Sequence, residues 1–212
     1  MTTKHILIME QIETIITNAL SEQERKQSPN SLTKANKIQA LVTLMQKFNP
    51  DAQNNICRDV DDCFFGSYPT LGDLARLYVN RAPAAWLVEQ ITDLVAFTNS
   101  SNQLNTPQIK SLAMLIAQQY FYLKLSELML FFYWFKGGRY GRFYGAIDPM
   151  IITSALREFI TDRGDYITYH EFEVRKRREE EEKRNVKNIS YSDWQIIKPI
   201  AAMYNSEITV NN

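Results

Sequence analysis

The stretch TPQIKSLAMLIAQQYFYLKLSELMLFFYWF, residues 106–135, decides the fold. Thr106–Pro107 is a helix start, because a proline in the first turn gives up no hydrogen bond that a helix would have made. After it, Ile109, Leu112, Ile116, Tyr120 and Leu123 recur in steps of three and four. A period of 3.6 residues puts such positions on one helical face, whereas a half-buried strand would alternate. Ser126 with Glu127 restarts or continues the helix through Leu128 to Phe135.

The same grammar extends in both directions. Lys4 to Leu20 carries a stripe of Leu7, Ile8, Ile12, Ile15, Ile16 and Leu20, and the polar stretch from Ser21 to Pro29 reads as a linker. Ser31 can cap a helix with Ile38, Leu41, Leu44, Met45 and Phe48 on its apolar face, which Pro50 stops. Asp51 to Cys63 is acidic and without period, and is expected to be a connection. Thr70 caps a short helix with Leu71, Leu74, Leu77 and Tyr78 along one side. Pro83 opens another, bearing Trp86, Leu87, Ile91, Leu94, Val95 and Phe97. Asp148–Pro149 opens a third, with Ile151, Ile152, Leu156, Phe159 and Ile160 as its buried face. No alternating segment of convincing length occurs, and the reading is all-α, a compact multi-helix bundle.

Beyond Gly164 the character changes. Residues 171–187 hold thirteen charged side chains, against Phe172, Val174 and Val186 as apolar ones. Arg175, Lys176, Arg177 and Arg178 each meet a glutamate four positions on, and Glu179 and Glu180 meet Lys183 and Arg184. Such pairs support a helix by about 0.2–0.5 kcal/mol each, so an exposed charged C-terminal helix is expected. Ser192 and Gln195 form the pattern of a capping box, ahead of an apolar patch of Trp194, Ile196, Ile197, Ile200 and Met203. The expected organisation is an N-terminal helical segment 1–56, a helical core 57–165, and a charged arm with its patch, 166–212.

Composition narrows the classes. A chain of 212 residues with 45% hydrophobic and 23% charged residues can bury about 70% of its unfolded surface, and needs no disulfide or metal to fold. Lys plus Arg and Asp plus Glu both number 24, which argues against a histone-like coat for polyanions but leaves room for a local basic site. Cys57 and Cys63 are too few for a disulfide scaffold. The N-terminus lacks a leader pattern and Leu125–Phe135 is too short to span a bilayer. The expectation is a cytoplasmic protein with reduced thiols and no membrane partner.

Catalytic constellations are nearly absent. The two histidines, His5 and His170, have no evident local partner. There is no HExxH, cysteine cluster or EF-hand loop, and Gly137–Gly138 is followed by Arg139 rather than by a Walker cradle. Cys57, Asp59, Asp61, Asp62 and Cys63 could draw a cation, but regular ligand spacing is missing. No enzyme, metal or cofactor is expected.

The distinctive segment is FFYWFKGGRYGRFYG, residues 131–145. It has three cations, Lys136, Arg139 and Arg142, interleaved with Tyr140, Phe143 and Tyr144, and four of the chain's seven glycines. Phosphates pair with such cations and bases stack on such rings, so single-stranded nucleic acid is one candidate partner. A protein-docking surface is another. The bland reading is a tight connection, with the aromatic run in the core and Tyr140 and Tyr144 packing beneath the loop.

From Cys63 to Arg163 the chain resembles an uncharacterised all-helical family of Bacteroides-type bacteria, their phages and mobile elements. The resemblance rests on Tyr68–Pro69–Thr70–Leu71, Ala84–Ala85–Trp86–Leu87, the run Leu123 to Phe132, and RYGRFYG (139–145) followed by Asp148–Pro149–Met150. The N-terminal 60 residues and the charged arm lie outside it. By analogy with small helical proteins of mobile elements, it implies a non-enzymatic DNA-replication accessory, a helicase-loader-like adaptor binding nucleic acid or a replication protein. The rival is a protein-only factor that binds and modulates a host protein. Exposure of the three cations on one face would favour nucleic acid, and their pairing with buried acids would favour the rival.

Overall fold

A computed structural model describes residues 31–98, 103–141, 148–187 and 190–208. The expected helix over 4–20, the linker 21–29, and Arg142, Phe143 and Tyr144 lie outside these residues. The chain divides into two compact units, Met1–Arg163 and Gly164–Asn212. Among the described residues there are nine α-helices, one short 3-10 turn and no strand, so the fold is all-α.

In the first unit, α1 (Ser31–Lys47) leads to a 3-10 turn (Pro50–Ala52), α2 (Gln53–Ile56), α3 (Val60–Phe65), α4 (Leu71–Leu77), α5 (Ala82–Thr98), α6 (Thr106–Gln119), α7 (Leu125–Lys136) and the first turns of α8 (Pro149–Lys187). The centre is α7. Every residue from Leu125 to Phe132 is fully buried, Ser126 and Glu127 included. A helix this apolar all round has to be wrapped by others, and α2, α3 and α5 pack on it while α6 packs on α5. The first turns of α8 close the core with Ile152, Leu156 and Phe159, whose ring centroid is 5.7 Å from that of Phe131.

The start of α7 is held by polar contacts that its sequence alone does not announce. Lys124 donates from Nζ to the carbonyls of Phe64 and Gly66, at 2.7 and 2.9 Å, and so caps the end of α3. Ser126 Oγ donates to the Cys63 carbonyl at 2.8 Å. Glu127 accepts the Lys124 N–H at 2.9 Å on Oε2 and the Arg163 Nε–H at 2.8 Å on Oε1. The first amides of α4 are met in turn by carbonyls just before α7: Leu71 N–H on Leu123 at 3.0 Å and Gly72 N–H on Phe121 at 2.7 Å. A Cβ on Gly72 would stand 3.2 Å from the Phe121 carbonyl oxygen, so this close approach favours glycine.

Several expectations need correction. Asp51 to Cys63 is helical rather than a plain connection. Asp59 accepts the Asp62 N–H at 3.1 Å as the N-cap of α3, and the acidic residues fill its first turn, where the helix dipole favours them. Leu77 and Phe97, placed along apolar helix stripes, are 50% and 61% exposed. The N-cap of α6 is Asn105, in a reciprocal capping box with Gln108. The change of character beyond Gly164 is one of composition and not of secondary structure: α8 runs through it, since one exposed glycine costs only about 1 kcal/mol. Residues of the expected segment 1–56 share the core of the later helices. Leu41, Met45 and Phe48 are buried, and Trp86 Nε1 donates to the Phe48 carbonyl at 2.8 Å.

The second unit comprises α8 from Gly164 onward and α9 (Tyr191–Ile208). Along α8, residues 174–184 are exposed, as expected. The expected ladder of pairs does not form: among the described residues, no ion pair joins the side chains of 175–184. Fully solvated charges gain little by pairing. The cap of α9 is Ser190, whose Oγ accepts the Asp193 N–H at 3.4 Å, instead of Ser192. Trp194, Ile196, Ile197 and Ile200 on α9 are all exposed.

Candidate functional site

The glycine-rich segment begins as a helix terminator. The Arg139 N–H reaches the Trp134 carbonyl at 3.1 Å and the Gly138 N–H the Phe135 carbonyl at 3.0 Å. Gly138 has φ 78°. This double bond with a left-handed residue is a Schellman motif, and it brings side chains on either side of the turn together. Here the pair is Trp134 and Arg139, with the guanidinium carbon 4.0 Å from the ring centroid. The stacked Arg139 also pairs with Asp162 of α8 at 2.9 Å.

Beside this turn, α7, α5 and the 3-10 turn enclose a cavity of about 720 Å³ whose walls include Asp51, Phe97, Tyr133, Trp134 and Arg139. Its floor is the end of a buried polar chain. The Phe48 carbonyl accepts from Gln90 Nε2 at 2.9 Å, Gln90 Oε1 accepts from Gln53 Nε2 at 2.8 Å, and Gln53 Oε1 accepts from Lys136 Nζ at 2.8 Å. Lys136 also pairs with Asp93 and lies 5.8 Å from the centroid of the Phe97 ring. Phe97 and Tyr133 are 61% and 41% exposed. Both described cations of the motif therefore line one cleft, and each has a carboxylate partner.

Tyr140 follows a different course. Its ring packs 5.8 Å from Phe131 and 6.4 Å from Phe135, and its buried hydroxyl has no hydrogen-bond partner among the described residues. Burial pushes its ionisation above the usual phenol range. Its ring packs beneath the turn. Tyr133, within the aromatic run read as core, is exposed at the cleft, and Trp134 lies at the boundary, packed on buried Phe64 and Phe159 and also lining the cleft. Gln53, Asp93 and Phe97 join the site from α2 and α5, through contacts that no local pattern marks.

Cys57 and Cys63 are free and buried. Cys63 Sγ donates to the Ile56 carbonyl at 3.3 Å. The neighbouring Cys63 thiol and then burial push the Cys57 thiol up, and the neighbouring Cys57 thiol pulls Cys63 down. Among the described residues, no group of three or more His, Cys, Asp or Glu could hold a metal ion. The aspartates of 59–62 have other work: Asp59 caps α3, and Asp62 accepts the Tyr68 hydroxyl and thereby pushes Tyr68 up to about 12. No helix among the described residues is long and apolar enough to cross a membrane.

Residues 103–194 match a family of unknown function, DUF6633. The match starts later than the resemblance noted above and runs on into the charged helix, which that resemblance excluded. It contains Tyr133, Trp134, Lys136 and Arg139 but not Gln53 or Asp93. No curated protein and no solved structure matches the chain.

Proposed function

We propose that this protein is a non-enzymatic, cytoplasmic adaptor that docks a partner protein in the cleft between α5 and α7. The carrying observation is the charge state of that cleft. Among the described residues, Lys136 is paired with Asp93 and Arg139 with Asp162, both partly exposed acids, and Asp51 adds a further acid to the wall. Single-stranded nucleic acid needs an uncompensated positive track. An aromatic hollow with balanced charges suits the side chains of a protein, for which exposed Tyr and Phe beside ion pairs are ordinary anchors. In its narrower form the partner is a replication protein, and the chain is a loader-like accessory of a phage or mobile element of Bacteroides-type bacteria. That form rests on the family analogy, and modulation of a host protein is its rival. Free thiols at Cys57 and Cys63 agree with a reducing compartment.

Nucleic acid keeps one observation in its favour, Arg139 stacked on Trp134 at the cleft rim. Capture from a Bacteroides-type lysate separates the readings. A specific protein retained equally with and without nuclease, and lost with the double variant Phe97→Ala and Tyr133→Ala, supports docking in the cleft. Retention abolished by nuclease contradicts it. The identity of the retained protein decides between replication accessory and host modulator.

A further inference from the structure

The charged part of α8 is written as blocks: four cations, Arg175 to Arg178, then four glutamates, Glu179 to Glu182. Arg175, Arg178, Glu179 and Glu182 are spaced i, i+3, i+4, i+7 and form one stripe of the helix. Phe172, 55% exposed, extends the stripe by one turn. All four charges are exposed, and among the described residues none is ion-paired. Within the helix their order gives only part of the support available to such pairs. The i, i+4 pairs run from cation to glutamate, the weaker orientation, and Arg175 with Arg178 and Glu179 with Glu182 are like-charge neighbours.

A second copy of the same helix, antiparallel and related by a two-fold axis between positions 178 and 179, resolves every one of these. Arg175 then faces Glu182 of the second copy, Arg178 faces Glu179, and symmetry repeats both contacts. A parallel pairing in register sets like against like, and an antiparallel slip by four residues sets one block against its own kind. Among two-fold pairings, this register is the one that sets all four charges opposite an opposite charge.

We propose that this stripe of α8 is a self-association surface whose occupant is a second copy of this chain, in an antiparallel dimer centred between Arg178 and Glu179. Each exposed pair contributes at most about fivefold in affinity, about 1 kcal/mol, so the dimer is weak, requires high protein concentration and low ionic strength, and dissociates with salt.

Sedimentation velocity of the full-length chain tests it. At low salt the wild-type chain should populate, with rising concentration, a species of twice its 24.7 kDa mass, and high salt should dissociate it. Arg175→Glu with Arg178→Glu, and separately Glu179→Arg with Glu182→Arg, should each weaken dimerisation about tenfold or more, since all pairs become like-charged. Mixing the two variants should restore a dimer, and so should all four exchanges in one chain. Far-ultraviolet circular dichroism identifies a variant that has lost its helix, and the four-exchange chain, with unchanged composition, still decides the matter in that event. A wild-type chain that stays monomeric at low salt, double variants that associate as the wild type does, or failure of both the mixture and the four-exchange chain to dimerise would each overturn the proposal.

Discussion

Glu127 Oε1 lies 2.8 Å from Arg163 Nε, and this carboxylate is fully buried at the start of the central helix. Its other oxygen takes the Lys124 N–H, so one side chain caps α7 and ties it to α8. Removing one partner of such a pair leaves the other uncompensated, which costs more than the pair contributes. Arg163→Ala should therefore destabilise the fold by about 3 kcal/mol or more, and Glu127→Ala by a similar amount because the cap is lost as well. Urea denaturation checks this. A change under about 1 kcal/mol for both would mean that water replaces the pair without cost.

A second buried carboxyl sets a pH dependence. Burial on α5, ahead of the charges of Asp93 and Asp51, pushes Glu89 from 4.5 up to about 7. Between those values the folded state holds a proton that the unfolded state has released, so stability falls as pH rises through this window and stays lowered above it. Glu89→Gln should leave stability near pH 4 almost unchanged and raise it at pH 8 by on the order of 2–3 kcal/mol. Thermal melts of both proteins across the range read the difference. A gain that is the same at both ends would rule out ionisation as its source.

The turn after α7 should be sensitive at one glycine. Gly138 has φ 78°, a region that costs a side-chain-bearing residue about 1–2 kcal/mol. Gly138→Ala should lower stability by that amount, whereas Gly137→Ala, at φ −71°, should be nearly neutral. Equal effects in chemical denaturation would mean that the terminator is not the Schellman turn described.

Those turns and caps show which parts of the fold were legible. Thr70 with Asp73 forms a reciprocal capping box at the start of α4, and Asp148 accepts the Ile151 N–H at 2.9 Å at the start of α8. Both are local patterns and could be read from residue order. Asp51 to Cys63 could not, because helices of four and six residues are too short to show a period. The site was half legible. Lys136 and Arg139 stand out by charge beside glycines, but Asp93 comes from 43 positions away and Gln53 from 83. Trp134 was hidden in an aromatic run that mostly is core, and it is the turn at Gly138 that brings Arg139 back over its ring.

Docking of a protein in place of nucleic acid requires that the paired cations of the cleft be withheld from phosphates. Fluorescence anisotropy of a labelled single-stranded oligonucleotide, titrated with the full-length chain at several salt concentrations, measures this directly. With Lys136 held by Asp93 and Arg139 by Asp162, the account predicts no saturable binding at low salt by a folded sample. Saturable binding that falls with salt at a log–log slope of about −2, the value for three phosphate contacts on a single strand, and that drops on Arg139→Ala without a change in the melt, would contradict it.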